Sequence, residues 1–161
     1  MKTVKVSVAG ILLLAAASAC SLDVGPREQD WFKAELESIP EPPIEYAGAL
    51  SAGLVILLIE DGRLFYDVYL HNVEAARTAT LHIGGTQDDT PAIATLWTSS
   101  DSQGETGTRF VMRGELLPAS EITGATHQQV LDAIRDGNAY AVLTTVAHPS
   151  GAFRGPVVPA T

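Results

Sequence analysis

From Tyr46 onward, apolar and polar residues follow one another in the short segments that are typical of β-strands. Residues 54–59 form a continuous apolar run rich in β-branched side chains, and apolar side chains occupy every second position from 64 to 70. A run of this length and a two-residue period both predict strands. Asp61-Gly62 separates the two segments and is a strong hairpin signal. The sequence therefore predicts an antiparallel hairpin over residues 54–70.

Five further segments predict strands, and one segment predicts a helix. The helix follows Thr126, whose spacing to Gln129 has the form of a capping box, and Gly137 stands where a left-handed C-cap is expected. About seven strands, with one short helix before the penultimate strand, predict an all-β fold: an antiparallel β-sandwich, immunoglobulin-like or superoxide-dismutase-like. The further strands are predicted over residues 78–83, 92–97, 108–115, 139–146 and 153–158.

The segment before the first predicted strand has mixed character. Trp31, Phe32 and Leu36 stand at helix-compatible spacing, which predicts a short amphipathic helix over residues 26–38, and the prolines of residues 39–43 predict an extended path. Two interpretations of the aromatic pair are open: packing onto the domain, or a partner-binding segment. Packing is favoured because exposed aromatic pairs are unfavourable on a soluble surface.

The first residues have the composition of a targeting segment. Lys2 and Lys5 form a positive region, an apolar stretch follows over residues 6–17, and small residues lead to the single cysteine, Cys20. The sequence Ala-Ser-Ala-Cys ending at Cys20 resembles the lipobox of bacterial lipoproteins, whose cysteine is acylated after cleavage before it. The resemblance implies a signal peptide over residues 1–19. An ordinary secretory signal cut near the same site is the alternative.

The same resemblance predicts a location. Several acyl chains on Cys20 would hold the protein on a membrane, and Ser21 after the cysteine fits export to the outer membrane of a didermal bacterium. Residues 20–43 are then interpreted as the acylated cysteine and a tether. We expect a lipid-anchored protein of the bacterial cell envelope at the outer membrane; a secreted or periplasmic location is the alternative.

Composition narrows the classes of function. The chain has 161 residues, 10 Lys plus Arg, 19 Asp plus Glu and a formal net charge of −9. Lys2 and Lys5 lie in the leader, so the charge without residues 1–19 is −11. An acidic chain lacks the basic face that nucleic acids require, so no nucleic-acid partner is predicted. One cysteine excludes an internal disulfide and Cys-based zinc or iron–sulfur sites.

The sequence Gly137-Asn-Ala-Tyr140 follows the predicted helix. Gly137 ends the helix, Asn138 can bond to the backbone of the turn, and Tyr140 can fill one face of a central strand.

A second motif, Pro149-Ser-Gly-Ala-Phe-Arg-Gly155, precedes the last predicted strand. Pro149 and Gly151 predict a tight reversal in which Gly151 takes a positive φ. Arg154 then follows the turn, where it can pair with a carboxylate or cap exposed carbonyl groups. A structural role is favoured over a ligand contact.

In this order, the two motifs and the strand that contains His82 resemble the CHRD domain. This module was first described as repeats in chordin, an extracellular antagonist of bone morphogenetic proteins, and occurs in bacterial exported proteins. The resemblance covers residues 44–158, leaves a tail at 159–161, and implies a binding domain. The family-motif positions are His82, Gly137, Asn138, Tyr140, Pro149, Gly151, Arg154 and Gly155.

His82 is a weak candidate for a metal ligand. Many family members carry His-x-His on this strand, which projects two imidazoles to one side, whereas here Gly84 replaces the second histidine. The sequence therefore predicts no cofactor, no metal site and no catalytic residues.

Our leading hypothesis is a non-catalytic binding or scaffold module at the cell envelope. Its expected partners are membrane lipid, through acylated Cys20, and an unidentified envelope or extracellular protein or glycan. The alternative is a metal-binding or enzymatic β-sandwich that uses His82 and nearby acidic residues.

Overall fold

A computed structural model of the chain describes residues 29–40, 43–46, 48–108, 110–116 and 121–160. The predicted signal peptide and Cys20 lie outside these described residues. The described strands are β1 (Gln29–Ser38), β2 (Glu45–Tyr46), β3 (Ala49–Leu50), β4 (Ala52–Glu60), β5 (Arg63–His71), β6 (Val73–Ile83), β7 (Ala92–Thr98), β8 (Glu105–Gly107), β9 (Phe110–Glu115), β10 (Ala139–Thr145), β11 (Phe153–Pro156) and β12 (Val158–Pro159). The helix α1 (His127–Arg135) precedes β10.

The strands form an antiparallel sheet that curls into a nearly closed sandwich, with the order β7-β6-β10-β11-β1-β4-β5-β9. We call β12, β1, β4, β5 and β9 the β4 half, and β11, β10, β6, β7 and β8 the β10 half. Alternate residues of the longer strands face the core, as Val55, Leu57 and Ile59 of β4 do. The predicted all-β antiparallel fold is confirmed.

The predicted hairpin is present as β4 and β5. The two strands pair from Ala52 with His71 to Glu60 with Arg63, and Asp61-Gly62 forms the turn between them. Local turn chemistry and the two-residue period therefore predicted this part of the sheet correctly.

The strand β1 corrects the prediction for residues 26–38, because the described part of that segment is a strand and not a helix. Phe32 and Leu36 are buried at a spacing of four residues, which fits one face of a helix and equally fits every second position of a strand. Ala34, buried between them, completes the strand period, but its small side chain makes the period hard to recognise. The sheet thus begins inside the predicted tether.

The aromatic pair on β1 splits between two environments. Phe32 is 5% exposed and packs in the core, whereas Trp31 is 48% exposed on the opposite side of the strand. The packing that the sequence favoured for both residues therefore holds for Phe32 only.

The C-terminal prediction also changes in detail. Val157 interrupts the single strand predicted over residues 153–158, because its N–H donates to the Ala139 carbonyl as the chain passes from β11 to β12. Three strands therefore follow α1 instead of two. The predicted tail is partly structured, since Pro159 belongs to β12 and the Ala160 N–H donates to the Trp31 carbonyl at 2.9 Å.

The helix α1 packs one side against the core of the sandwich. Thr126 and Gln129 form the predicted capping box, and Val130, Leu131 and Ile134 are buried. Arg135 forms an ion pair of 3.1 Å with Asp30 at the start of β1. No helix in the described part of the chain is long and apolar enough to cross a membrane.

Candidate functional site

Three family-motif side chains meet on the outer face of the β10 half. His82 on β6 is the cross-strand partner of Tyr140 on β10, and their rings stack with centroids 4.9 Å apart at 21°. The Arg154 guanidinium carbon, on neighbouring β11, lies 5.4 Å from the Tyr140 ring centroid. Cation–π attraction and ring stacking join the three side chains, and we call them the stack.

Residues 84–90 form a loop that covers the stack and is held by it. The Tyr140 hydroxyl donates to the Asp88 carbonyl at 2.7 Å and lies 3.1 Å from the Thr90 hydroxyl. Arg154 Nη1 donates to the Thr86 carbonyl at 2.7 Å. Tyr140 is only 1% exposed in consequence. The stack therefore fixes a loop that is distant in sequence from Tyr140 and Arg154.

Both ring nitrogens of His82 have partners. Nδ1 lies 2.7 Å from the Thr90 carbonyl, which can only accept, so Nδ1 carries the proton. Nε2 then accepts from the Thr80 hydroxyl at 3.0 Å. Burial lowers the pKa of His82, the hydrogen bond to Thr90 opposes this effect, and the charge of Arg154 reinforces it. The ring is thus a neutral structural group.

A polar cleft of about 660 Å³ lies beside the stack. We call it the Arg154 cleft, because Arg154 forms part of its wall and the buried Nε of that side chain has no hydrogen-bond partner in the described part of the chain. On neighbouring β1, which also lines the cleft, Lys33 Nζ and Glu35 Oε1 are 2.8 Å apart, and this hydrogen bond lowers the pKa of Glu35. The other polar lining residues are Glu37, Ser38, Thr86 and Gln87.

The sequence identified Arg154 but missed the wall formed by β1. Lys33, Glu35 and Glu37 alternate with the buried Ala34 and Leu36, and this alternation was the available signal. The helical interpretation of residues 26–38 obscured it.

Comparison with known protein families tests the resemblance that the two motifs suggested. The model of the CHRD domain family matches residues 32–157. This chain belongs to the CHRD domain family. No curated protein and no solved structure matches it significantly. The match begins within β1, upstream of residue 44, where the sequence resemblance was placed. The CHRD domain is a β-structured domain of extracellular, binding type.

The position of Gly84 explains why a His-x-His pair is absent from this CHRD domain. Gly84 has a φ of +118°, and a Cβ atom there would lie 2.6 Å from Asp88 Oδ2. The same oxygen accepts from the Gly85 N–H at 2.7 Å, so the carboxylate is part of the turn. Among the described residues, no three His, Cys, Asp or Glu side chains are grouped to hold a metal ion.

The first CHRD motif ends α1. Gly137 has a φ of +66° and its N–H donates to the Ile134 carbonyl, while the Asn138 N–H donates to the Ala133 carbonyl. These two bonds are the Schellman pattern, in which glycine avoids the steric cost of the left-handed conformation. The predicted C-cap is confirmed, and the Asn138 carbonyl accepts from the Gly84 N–H at the start of the covering loop.

The second CHRD motif joins the two halves of the sandwich. Pro149 lies in the predicted reversal, and Gly151 has a φ of +140°. Gly155 is needed for a different reason: a Cβ atom there would overlap the carbonyl oxygen of Glu35 on β1. The last glycine of the motif therefore allows β11 and β1 to approach closely.

Proposed function

We propose that this chain is an exported, membrane-anchored CHRD-domain lipoprotein that acts as a non-catalytic binding or scaffold module at the bacterial cell envelope. The observation that carries this proposal is that the motif side chains form hydrogen bonds within the domain. His82, Tyr140 and Arg154 all hydrogen bond to the loop at residues 84–90, and His82 also bonds to Thr80 on its own strand.

Catalysis requires a different arrangement. A general base needs a free lone pair within hydrogen-bond reach of the substrate proton. The lone pair of His82 accepts from Thr80, and the ring is stacked on Tyr140. A binding role requires only a stable surface, which the stack supplies by fixing the loop.

The Arg154 cleft is the surface that we propose for the partner. Its walls carry both signs of charge, with Lys33 and Arg154 near Glu35 and Glu37, and the Gln87 amide is exposed at its edge. Alternating donors and acceptors of this kind suit the hydroxyl groups of a glycan or a polar protein segment. The expected partner is therefore an envelope or extracellular protein or glycan, and not a nucleic acid.

The anchor is proposed to be the acylated Cys20. Substitution Cys20→Ser in the full chain, expressed in a didermal bacterium, should abolish incorporation of a labelled fatty acid and release the protein from the membrane fraction. The natural chain should be labelled and should sediment with the membranes. Unchanged labelling of the Cys20→Ser chain would show that the anchor is wrong.

Partner binding is tested by site-specific photocrosslinking in the same cells. A photoreactive residue in place of Gln87 should capture a partner. The same residue in place of Ser102, which is also exposed but does not line the cleft, is the matched control. Equal capture from both positions would contradict the assignment of the cleft.

A further inference from the structure

The outer face of the β4 half carries a broad set of apolar side chains. In the strand registers, Trp31 lies beside Leu58, which lies beside Phe65, and the row from Glu35 continues through Leu54 to Tyr69. Ile56 lies between these rows. We call Trp31, Leu54, Ile56, Leu58, Phe65 and Tyr69 the aromatic face. Trp31 is exposed and the other five are partly exposed, although most of the alternate residues of the same strands are buried.

This face is concave at one end. A groove of about 520 Å³ runs between Trp31 on β1 and Arg113 on β9, with Ile56, Leu58 and Phe65 inside it. Contiguous apolar surface with a polar rim marks a site of interaction with a protein, a ligand or a membrane. The choice among these occupants depends on charge and on position in the chain.

The charges beside the aromatic face are paired. Lys33 pairs with Glu35 at 2.8 Å, and Arg113 with Asp67 at 3.4 Å. Arg63 forms a bidentate pair with Glu115 and lies over the Phe65 ring. Half of the six basic residues in the described ranges are therefore here, in a chain of net charge −9.

The position of the face links it to the N-terminal side of the chain. Trp31 is the third residue of β1, and Cys20 precedes Gln29 by nine residues. Nine residues span at most about 30 Å when fully extended. A lipid on Cys20 would hold the start of β1 within that distance of the bilayer, and Trp31 lies two residues further along the strand.

We infer that the aromatic face docks on the lipid surface to which Cys20 is attached, with Trp31 and Phe65 in the headgroup region. This inference rests on the proposed lipid anchor. The anchor makes docking intramolecular, at an effective concentration in the millimolar range, so a weak apolar contact is sufficient.

The composition of the face fits a bilayer interface. Tryptophan is enriched at the level of the lipid headgroups, and long basic side chains bury their apolar stems while the charged ends reach the headgroups. Because the basic residues are paired with carboxylates, the face suits zwitterionic lipid better than strongly anionic lipid.

The test uses the full acylated chain in vesicles of phosphatidylethanolamine and phosphatidylcholine. The chain has two tryptophans, so Trp97→Phe leaves Trp31 as the fluorescent reporter. Bromine on the lipid acyl chains should quench Trp31 at least twofold, and aqueous iodide should quench it less in vesicles than in detergent. Equal access of iodide in both media, without quenching by brominated lipid, would overturn the proposal.

Two variants make the result specific. Phe65→Ser should reduce the quenching by brominated lipid, whereas Val146→Ser should not, because Val146 lies outside the aromatic face although it is as exposed as Trp31, at 48%. Equal effects of the two variants would contradict docking through this face. Circular dichroism of each variant checks that the sandwich is retained.

Sedimentation with the vesicles separates this inference from the proposed anchor. A chain that sediments but leaves Trp31 open to iodide has the anchor without the docked face. A chain that is not acylated and does not sediment refutes both. Shielding of Trp31 that depends on protein concentration or on added glycan, in the absence of lipid, would assign the face to a second copy or to a sugar and overturn docking on lipid.

Discussion

The two outer faces of the sandwich differ in how their large side chains are used. On the β10 half, Tyr140 is 1% exposed under a loop whose backbone it holds through hydrogen bonds. On the β4 half, Trp31 is 48% exposed, and the ion pairs around it are at the surface. The family-motif side chains of the stack lie on the outer face of the β10 half, which the loop at residues 84–90 covers; we call it the covered face. In this chain, the motif residues therefore stabilise the fold. The motif gives no information about the aromatic face, whose role is inferred from the residues of that face.

Buried polar groups explain why most polar atoms of the covered face are hydrogen bonded, although the Nε of Arg154 has no partner among the residues that the structure describes. A hydroxyl or guanidinium group loses its water under the loop and must find partners within the protein. Thr86, Asp88 and Thr90 supply these partners through backbone and hydroxyl groups. Exposed side chains have no such requirement. Substitutions on the covered face should therefore lower the free energy of unfolding more than substitutions on the aromatic face.

The largest effect is expected where β11 meets β1 beneath the covered face. Gly155→Ala should lower the free energy of unfolding by about 4 kcal/mol or more, because the added methyl group overlaps the Glu35 carbonyl. Urea denaturation measures the loss. Gly137→Ala is the control, since its Cβ would enter open space and only the left-handed conformation costs about 1–2 kcal/mol. Equal losses for both glycines would argue against the close approach.

The same substitution, tyrosine to phenylalanine, can be made on each of the two faces and compares them directly. Tyr140→Phe removes a hydroxyl that donates to the Asp88 carbonyl at 2.7 Å and should cost about 1–3 kcal/mol of unfolding free energy. Tyr69→Phe on the aromatic face removes a half-buried hydroxyl that donates to Asp67 at 3.0 Å and should cost less than about 1 kcal/mol. Thermal or urea unfolding of the two variants is the measurement. A larger loss for Tyr69→Phe would reverse the comparison.

The covered face should also respond to pH through His82. Burial lowers its pKa in the folded protein below the ordinary value of 6.5, so the unfolded chain takes up the proton first as the pH falls. The stability that depends on neutral His82 is thus present above pH 6.5 and is lost as the pH falls through and below that value. His82→Asn should lose less stability between pH 7.5 and 5.5 than the natural chain does. An identical loss in both would show that His82 is not responsible.

The smallest effect on folding is expected at the aromatic face. Trp31→Ser should change the free energy of unfolding by less than about 1 kcal/mol, because about half of the side chain is exposed. Phe32→Ala, at the adjacent core position, should cost about 3–5 kcal/mol. Calorimetry of both variants tests the difference. A comparable loss at Trp31 would mean that the aromatic face is part of the folding core.

The features that were predicted correctly from the sequence are determined by residues that are close together in the chain. Asp61-Gly62 defines a turn by itself, and Thr126 with Gln129 defines a helix start within one turn. The strand β1 was missed because buried Phe32 and Leu36 fit two periods at once. The division at Val157 depends on a partner carbonyl, that of Ala139, and not on local composition.

The candidate site was less predictable than the fold for a similar reason. Arg154 was expected to pair with a carboxylate or to cap carbonyl groups, and the carbonyl group that accepts from it, that of Thr86, lies 68 positions earlier in the chain. The walls of the Arg154 cleft likewise come from β1, β11 and the loop at residues 84–90. Contacts over such separations are set by the order of the strands, which residue spacing alone does not determine.

The pairing of β1 has a mechanical consequence. It is bonded to β4 from Gln29 to Leu36, with β11 and β12 on its other side. Antiparallel hydrogen bonds run perpendicular to the strands, so a force applied along β1 from its N-terminal end loads these bonds together in shear. The strand nearest to a tether is thus also the one that would resist being pulled out of the domain.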